Sequence, residues 1–84
     1  MIELTVLFFG ELAELAATKE TTLSNIKDTS ALNDTSTLVD YIHENYPRLR
    51  NKTFNLALNR EIITEKRLVK NGDEIALLPP YAGG

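Results

Sequence analysis

The group with the clearest route to chemistry is the α-carboxylate of Gly84, the last residue of the sequence. Gly83 precedes it, so no Cβ lies near that carboxylate, and a Gly-Gly end can enter a channel too narrow for other residues. A carboxylate is ionised at neutral pH and is a poor electrophile, so it reacts only after another protein has activated it. We therefore predict a functional tail, in preference to the frayed end that terminal residues ordinarily form.

The remaining residues show no arrangement typical of an enzyme. The absence of cysteine excludes a disulfide framework and a cysteine-based metal site. The sequence contains no phosphate-binding glycine loop, metal-ligand spacing or nucleophile elbow. The single histidine, His43, lies at the margin of a helical stripe, where it is more often a boundary residue than a catalyst. We predict a protein that has no bound cofactor or metal and no catalytic machinery of its own.

Composition limits the class of protein and its partners. The 84 residues, 43% hydrophobic and 25% charged, are typical of one small globular domain spanning residues 1–84. A net charge of −3 argues against nucleic acid, whose recognition normally needs a basic face. Because no apolar run approaches a membrane span and the start lacks the basic region of a signal peptide, we expect no membrane contact and a cytoplasmic location.

A strand leads into the predicted functional tail. Residues 75–78 form an apolar run after the turn signal Asn71-Gly72, and Pro79-Pro80 ends the run because proline donates no ladder hydrogen bond. Residues 79–84, the tail, are predicted to form a flexible extended arm of about 3.3 Å per residue. Five residues are assigned to threading this arm into a partner: Pro79, Pro80, Tyr81, Ala82 and Gly83.

Period-two alternation predicts the strands. In residues 2–9 every second side chain is apolar and inward, which leaves Leu7 and Phe9 on the opposite face. The inward set is Ile2, Leu4, Val6 and Phe8. In the last strand Ile75 and Leu77 are inward, which places Ala76 and Leu78 outside.

Shorter sequence patterns predict the remaining strands and the two helices. A second strand is expected at residues 21–24, a further one at residues 54–59, and a return strand at Ile62-Ile63 after a tight turn. Residues 11–17 predict a short helix. A second helix is predicted to begin at Thr37 as its N-cap, with Asp40 completing a capping box, and to stop before Pro47. The result is an α+β fold, one mixed sheet with helices packed on one face.

The carboxyl end then shows a family resemblance. Gly72-Asp73-Glu74 followed by Ile-Ala-Leu-Leu-Pro-Pro-Tyr-Ala-Gly-Gly resembles the end of the small sulfur-carrier subunit of molybdopterin synthase, in the MoaD/ThiS-type ubiquitin-like family. The opening Val6-Leu7-Phe8-Phe9-Gly10 is similar too, although the helix after it lacks the arginine often found there in that family. The resemblance implies a β-grasp fold.

The resemblance also implies partners and a reaction. An ATP-dependent activating enzyme adenylates Gly84, and sulfur displaces AMP to leave a terminal thiocarboxylate. That sulfur is delivered to a pterin precursor in a larger catalytic subunit, in molybdenum cofactor biosynthesis. Two alternatives share the Gly-Gly end: a thiamine-pathway sulfur carrier, whose chains are typically shorter, and a ubiquitin-like modifier joined to lysines of target proteins.

A partner surface follows from the alternation and the resemblance together. In a β-grasp fold the first and last strands are neighbours, which brings Phe9 and Leu78 side by side where the tail departs. An exposed apolar pair is costly for a monomer but is what the centre of a protein interface requires. The predicted interface consists of Leu7, Phe9, Ala76 and Leu78.

Overall fold

The computed structural model describes residues 2–26 and 34–80. The five strands are β1 (Ile2–Phe8), β2 (Glu20–Ile26), β3 (Asn55–Leu58), β4 (Glu61–Ile63) and β5 (Glu74–Leu78). The helices are α1 (Glu11–Ala16) and α2 (Thr35–Asn45), followed by a short 3₁₀ helix (Pro47–Leu49). This order of elements confirms the predicted one. Over the described ranges, no helix combines the length and the apolarity needed to cross a membrane.

The five strands form one mixed sheet in the order β2-β1-β5-β3-β4. The first and last strands, β1 and β5, run parallel in its centre, with Val6 opposite Ile75 and Phe8 opposite Leu77. The other neighbours are antiparallel. The predicted α+β class is thereby confirmed, and β5, which leads into the tail, is the middle strand.

Both helices cover the same face of the sheet, which we call the inner face. The inward set predicted for β1 is confirmed at Leu4, Val6 and Phe8, which are buried, as are Ile75 and Leu77 of β5. The helical side chains buried against them are Leu12, Leu38, Ile42 and Leu49. Burial of this contiguous apolar set, at about 25 cal/mol per Å² removed from water, is the main stabilising contribution.

The Gly72-Asp73-Glu74 sequence fixes the start of β5. The carboxylate of Asp73 accepts hydrogen bonds from the Lys70 N–H (2.7 Å) and from Nδ2 of Asn59 (3.0 Å). Its backbone carbonyl accepts from the Thr5 N–H of β1 (3.0 Å). The Glu74 N–H donates to Oδ1 of Asn59 (2.9 Å). These bonds join β5 to both of its neighbours and set which of its side chains face outward.

The predicted start of α2 is wrong. Its N-cap is Asp34, not Thr37, and the Thr37 N–H donates to Oδ1 of Asp34 (2.9 Å). That hydrogen bond holds the pKa of Asp34 below its ordinary value, because it favours the ionised carboxylate. Asp34 is held there by a β-bridge to Leu68, a contact distant in sequence. Residues 27–33, between β2 and the N-cap of α2, lie outside the described residues; the sequence there is polar and no element was predicted for it.

Candidate partner-binding face

The face opposite the helices, which we call the outer face, carries the second set of side chains from the alternating strands. Leu7 of β1 and Ala76 of β5 are paired in register there. The Phe9 N–H donates to the Leu77 carbonyl (3.1 Å), which continues the β1–β5 pairing past the end of β1. Phe9 and Leu78 therefore lie near one another where β5 ends.

All four residues predicted as the interface line one depression of about 440 Å³ on this face, which we call the outer groove. Its full lining is Leu7, Phe9, Ala57, Arg60, Ile62, Glu74, Ala76 and Leu78. Phe9 is 44% exposed and Ile62 60% exposed, so the outer groove presents large apolar side chains to solvent. Such a surface is typical of a protein-binding site. Its use as an interface stays a prediction.

Ala76 differs from the expectation in its burial. Its side chain faces outward as predicted, yet the residue is only 5% exposed. It pairs with Leu7 on one side and with Ala57 on the other, and its small side chain on the central strand becomes the floor of the outer groove. Ala76 therefore shapes the outer groove, and Phe9 and Leu78 form its accessible walls.

Phe9 also borders a second depression, of about 530 Å³, on the side towards α1. Ala13 and Glu14 of α1 and Lys19 before β2 contribute to its lining. Phe9 thus forms a ridge between two concave surfaces. The Phe9 side chain is therefore accessible to a partner from two sides, as the anchor residue of a protein interface is.

The turn between β1 and α1 packs against the start of the tail. Gly10 has φ +59°, and a Cβ added there would lie 3.0 Å from Cγ of Pro79. Pro79 is half-buried and Pro80 is exposed. Gly10 therefore allows a close approach that orients the chain as it leaves β5.

Tyr81, Ala82, Gly83 and Gly84 lie outside the described residues. Their assignment to tail threading, and the role of the Gly84 carboxylate, stay predictions. The predicted flexibility of residues 79–84 likewise stays a prediction.

Four residues of the outer groove escaped the sequence prediction: Ala57, Arg60, Ile62 and Glu74. The available signal was the Ile62-Ile63 pair, of which only Ile63 is buried, at 8% exposed. Consecutive residues of a strand face opposite sides, so one of the two isoleucines had to lie on the outer face.

The side chains able to bind a metal ion are dispersed over the described residues. Within residues 2–26 and 34–80, no three His, Cys, Asp or Glu side chains come close enough to hold a metal ion. His43 is half-buried on α2, edge-on to the ring of Phe54 with the centroids 5.9 Å apart. This packing agrees with the boundary role expected for His43.

These features define a class of protein, a small domain with one sheet face filled by helices and the other presenting an apolar groove beside a tail. Residues 6–84 match the ThiS family. The chain belongs to the ThiS family, which confirms the resemblance found in its sequence.

Named relatives and solved structures agree with this assignment. The molybdopterin synthase sulfur carrier subunit of Mycobacterium tuberculosis (strain ATCC 25618 / H37Rv) is 35% identical over 86 residues, covering all of both chains. The small archaeal modifier protein 1 of Methanosarcina acetivorans has a TM-score of 0.75 at 26% identity, covering 100% of this chain and 98% of that one.

A third similar chain comes from a complex. It belongs to the complex of subunits 1 and 2 of molybdopterin-converting factor from Helicobacter pylori 26695. Its TM-score is 0.72 at 27% identity, and the match covers 99% of this chain and 100% of that one. The similarity to these structures confirms the predicted β-grasp fold.

Proposed function

We propose that this chain is a sulfur-carrier subunit of molybdopterin synthase. The observation that carries the proposal is the 35% identity, over the whole of both chains, to the M. tuberculosis protein of that name. The sequence supports it with Gly83-Gly84 as its last two residues. In this function the protein contributes a backbone carboxylate and a docking surface, and other proteins supply the catalysis.

The proposed reaction begins at the Gly84 carboxylate. An ATP-dependent activating enzyme joins this carboxylate to AMP with release of pyrophosphate, so ATP is consumed by the partner and not held by this chain. A sulfur nucleophile then attacks the activated carbonyl and AMP leaves, which produces the thiocarboxylate. The absence of cysteine in the chain agrees with a terminus that carries the sulfur.

The outer groove is proposed to dock on the larger catalytic subunit, where sulfur passes to a pterin precursor. The H. pylori chain similar to this one belongs to a complex with a second subunit, which supports such a partner. Phe9 and Leu78 would anchor the contact next to the start of the tail. Six extended residues, 79–84, would then reach about 20 Å into the partner at about 3.3 Å per residue. We also propose a cytoplasmic location, since the activating step requires ATP.

A ubiquitin-like modifier remains a second candidate, favoured by the similarity to the M. acetivorans modifier protein. The two functions share the adenylated intermediate and differ in its acceptor. A sulfur nucleophile gives a thiocarboxylate, whereas a lysine amine gives an isopeptide bond to a target protein.

Mass spectrometry of the intact protein tests the proposal. The chain is incubated with the activating enzyme, ATP and a sulfur source, and then with the large subunit and the pterin precursor. We expect a mass gain of one sulfur-for-oxygen exchange, followed by its loss as the precursor is converted. A variant lacking Gly84 serves as the control and should not be loaded. Lysine-linked adducts without a thiocarboxylate would support the modifier, and loading without transfer to the precursor would favour the thiamine-pathway alternative.

A further inference from the structure

Arg60 has a backbone conformation that is unfavourable for an arginine. It is the second of the two residues between β3 and β4, with φ 72°, and Asn59, the first, has φ 50°. Two positive φ angles are the requirement of a type I′ turn, in which glycine is preferred at the second position. Asn59 suits its place, because its side chain binds Asp73 and the Glu74 N–H. Strain of this kind, retained at one residue, points to a function for the side chain.

The position of Arg60 indicates where that function lies. Arg60 is exposed and lines the outer groove beside the apolar side chains of Phe9, Ile62 and Leu78. The ion pairs within 4.0 Å among the described residues are Lys52–Glu11 and Arg67–Glu65, so no described carboxylate pairs with Arg60. Glu74 also lines the outer groove but does not pair with Arg60, so the guanidinium is a cation beside apolar side chains, available to a docked molecule.

We propose that Arg60 determines partner specificity at the outer groove by pairing with a carboxylate of the docked protein. This inference rests on the proposed docking of the outer groove on the large subunit. Docking removes water from the guanidinium, and a desolvated charge requires a hydrogen-bonded counter-charge. The planar fork of arginine matches a carboxylate with two parallel hydrogen bonds. An aspartate or glutamate side chain is the group with which a protein partner supplies that charge.

Three variants separate the charge of Arg60 from its backbone conformation. Arg60→Gly removes both the charge and the strain, Arg60→Gln removes the charge and keeps the demand for positive φ, and Arg60→Lys keeps the charge without the fork. The matched control is Arg48→Gln, which removes the same charge from an exposed site on the 3₁₀ helix, on the helix-covered side of the sheet.

Binding to the purified large subunit is measured by titration calorimetry at low and high salt, with Tm recorded for each variant. We expect Arg60→Gly to have an unchanged or higher Tm and a Kd at least about tenfold weaker. Arg60→Gln should lose the same affinity, Arg60→Lys should lose less, and Arg48→Gln should bind as the wild type. The salt dependence of Kd should be shallower in Arg60→Gly and Arg60→Gln, because one screened charge pair has been removed.

Wild-type affinity in Arg60→Gln would overturn the inference, since the charge would then have no role in binding. Loss of affinity in Arg60→Gly with full affinity in Arg60→Gln would assign the effect to the turn and overturn it equally. If the wild type itself does not bind the large subunit, the proposed function fails, and this inference with it. A wild type that binds and variants that bind equally well remove only the role of Arg60.

Discussion

The inner and outer faces of the central strands are formed by the same segments but differ in burial. On the inner face, Leu4, Val6, Ile75 and Leu77 are all 0% exposed beneath the helices. On the outer face, Phe9 keeps 44% of its surface in water. An offset of one residue along β1 separates a side chain that stabilises the fold from one available to a partner. The fold can therefore present an apolar surface without weakening its core.

Phe8 and Phe9 provide the sharpest test of this difference, and the largest expected effect. Phe8 is 2% exposed and its ring packs edge-on to Tyr46 at 5.1 Å, whereas Phe9 is 44% exposed. We expect Phe8→Ala to lower the free energy of unfolding by about 3–5 kcal/mol. Phe9→Ala should lower it by less than about 1 kcal/mol, because 44% of the Phe9 surface is already in contact with water in the folded protein. Urea unfolding measures both, and equal losses would show that the outer face also belongs to the core.

Phe9→Asp tests the outer face as a binding surface. We expect a Tm close to that of the wild type and a complex with the large subunit weakened by at least about 2 kcal/mol, the range of an interface hot spot. Leu78→Asp should weaken binding similarly, with an added stability cost because Leu78 is half-buried. Calorimetric titration gives the affinities. Normal binding by both folded variants would place the interface elsewhere.

Gly10→Ala tests how the tail is oriented between the two faces. The added Cβ would lie 3.0 Å from Pro79 at a positive φ, whereas Gly72, at φ +88°, has nothing within 4 Å of the equivalent position. Both alanine variants should lose about 1–3 kcal/mol of stability from backbone strain. We expect only Gly10→Ala to slow sulfur transfer in single-turnover assays, since it alone displaces Pro79. Equal transfer rates would show that the Gly10–Pro79 contact does not guide the tail.

The smallest effect is expected at Asp34, on the helix-covered side. Its pKa is lowered in the folded protein by the Thr37 N–H, so its carboxylate adds stability above its unfolded pKa, about 4. That stability is lost as the pH falls through the lower folded pKa. Asp34→Asn, which retains a capping side chain, should show a shallower loss of stability as the pH falls below about 4. Unfolding measured across this range checks it, and partner binding at neutral pH should not change.

The sequence was sufficient to predict which side chains are buried where a single periodic pattern determines their direction. Alternation alone identified Leu4, Val6 and Phe8 as inward and Leu7 as outward, because a strand buried on one face admits a single register. That β1 and β5 are neighbours came from the family resemblance, since alternation does not specify a neighbour, and their parallel direction was not predicted.

The sequence-based prediction was wrong or incomplete where contacts between residues distant in sequence determine the structure. Asp34 and Thr37 are both good N-caps, and the choice between them follows the bridge to Leu68, which is remote in sequence. Arg60 and Ile62 reach the outer groove only through the strand order, which places β3 and β4 beside β5. Arg60 was also missed as a candidate site residue because it lies in a turn position where glycine is preferred, and the sequence was interpreted there only as a turn.

The central position of β5 has a mechanical consequence. A force applied to the tail is transmitted through Pro79 to a strand bonded on both sides, to β1 and to β3. Such a force acts along the strand, so the hydrogen bonds of two ladders must break together. An edge strand such as β4 has one ladder, whose hydrogen bonds can break one at a time. The protein can therefore bear a load on the tail, the segment proposed to enter its partner, and still keep its sheet intact.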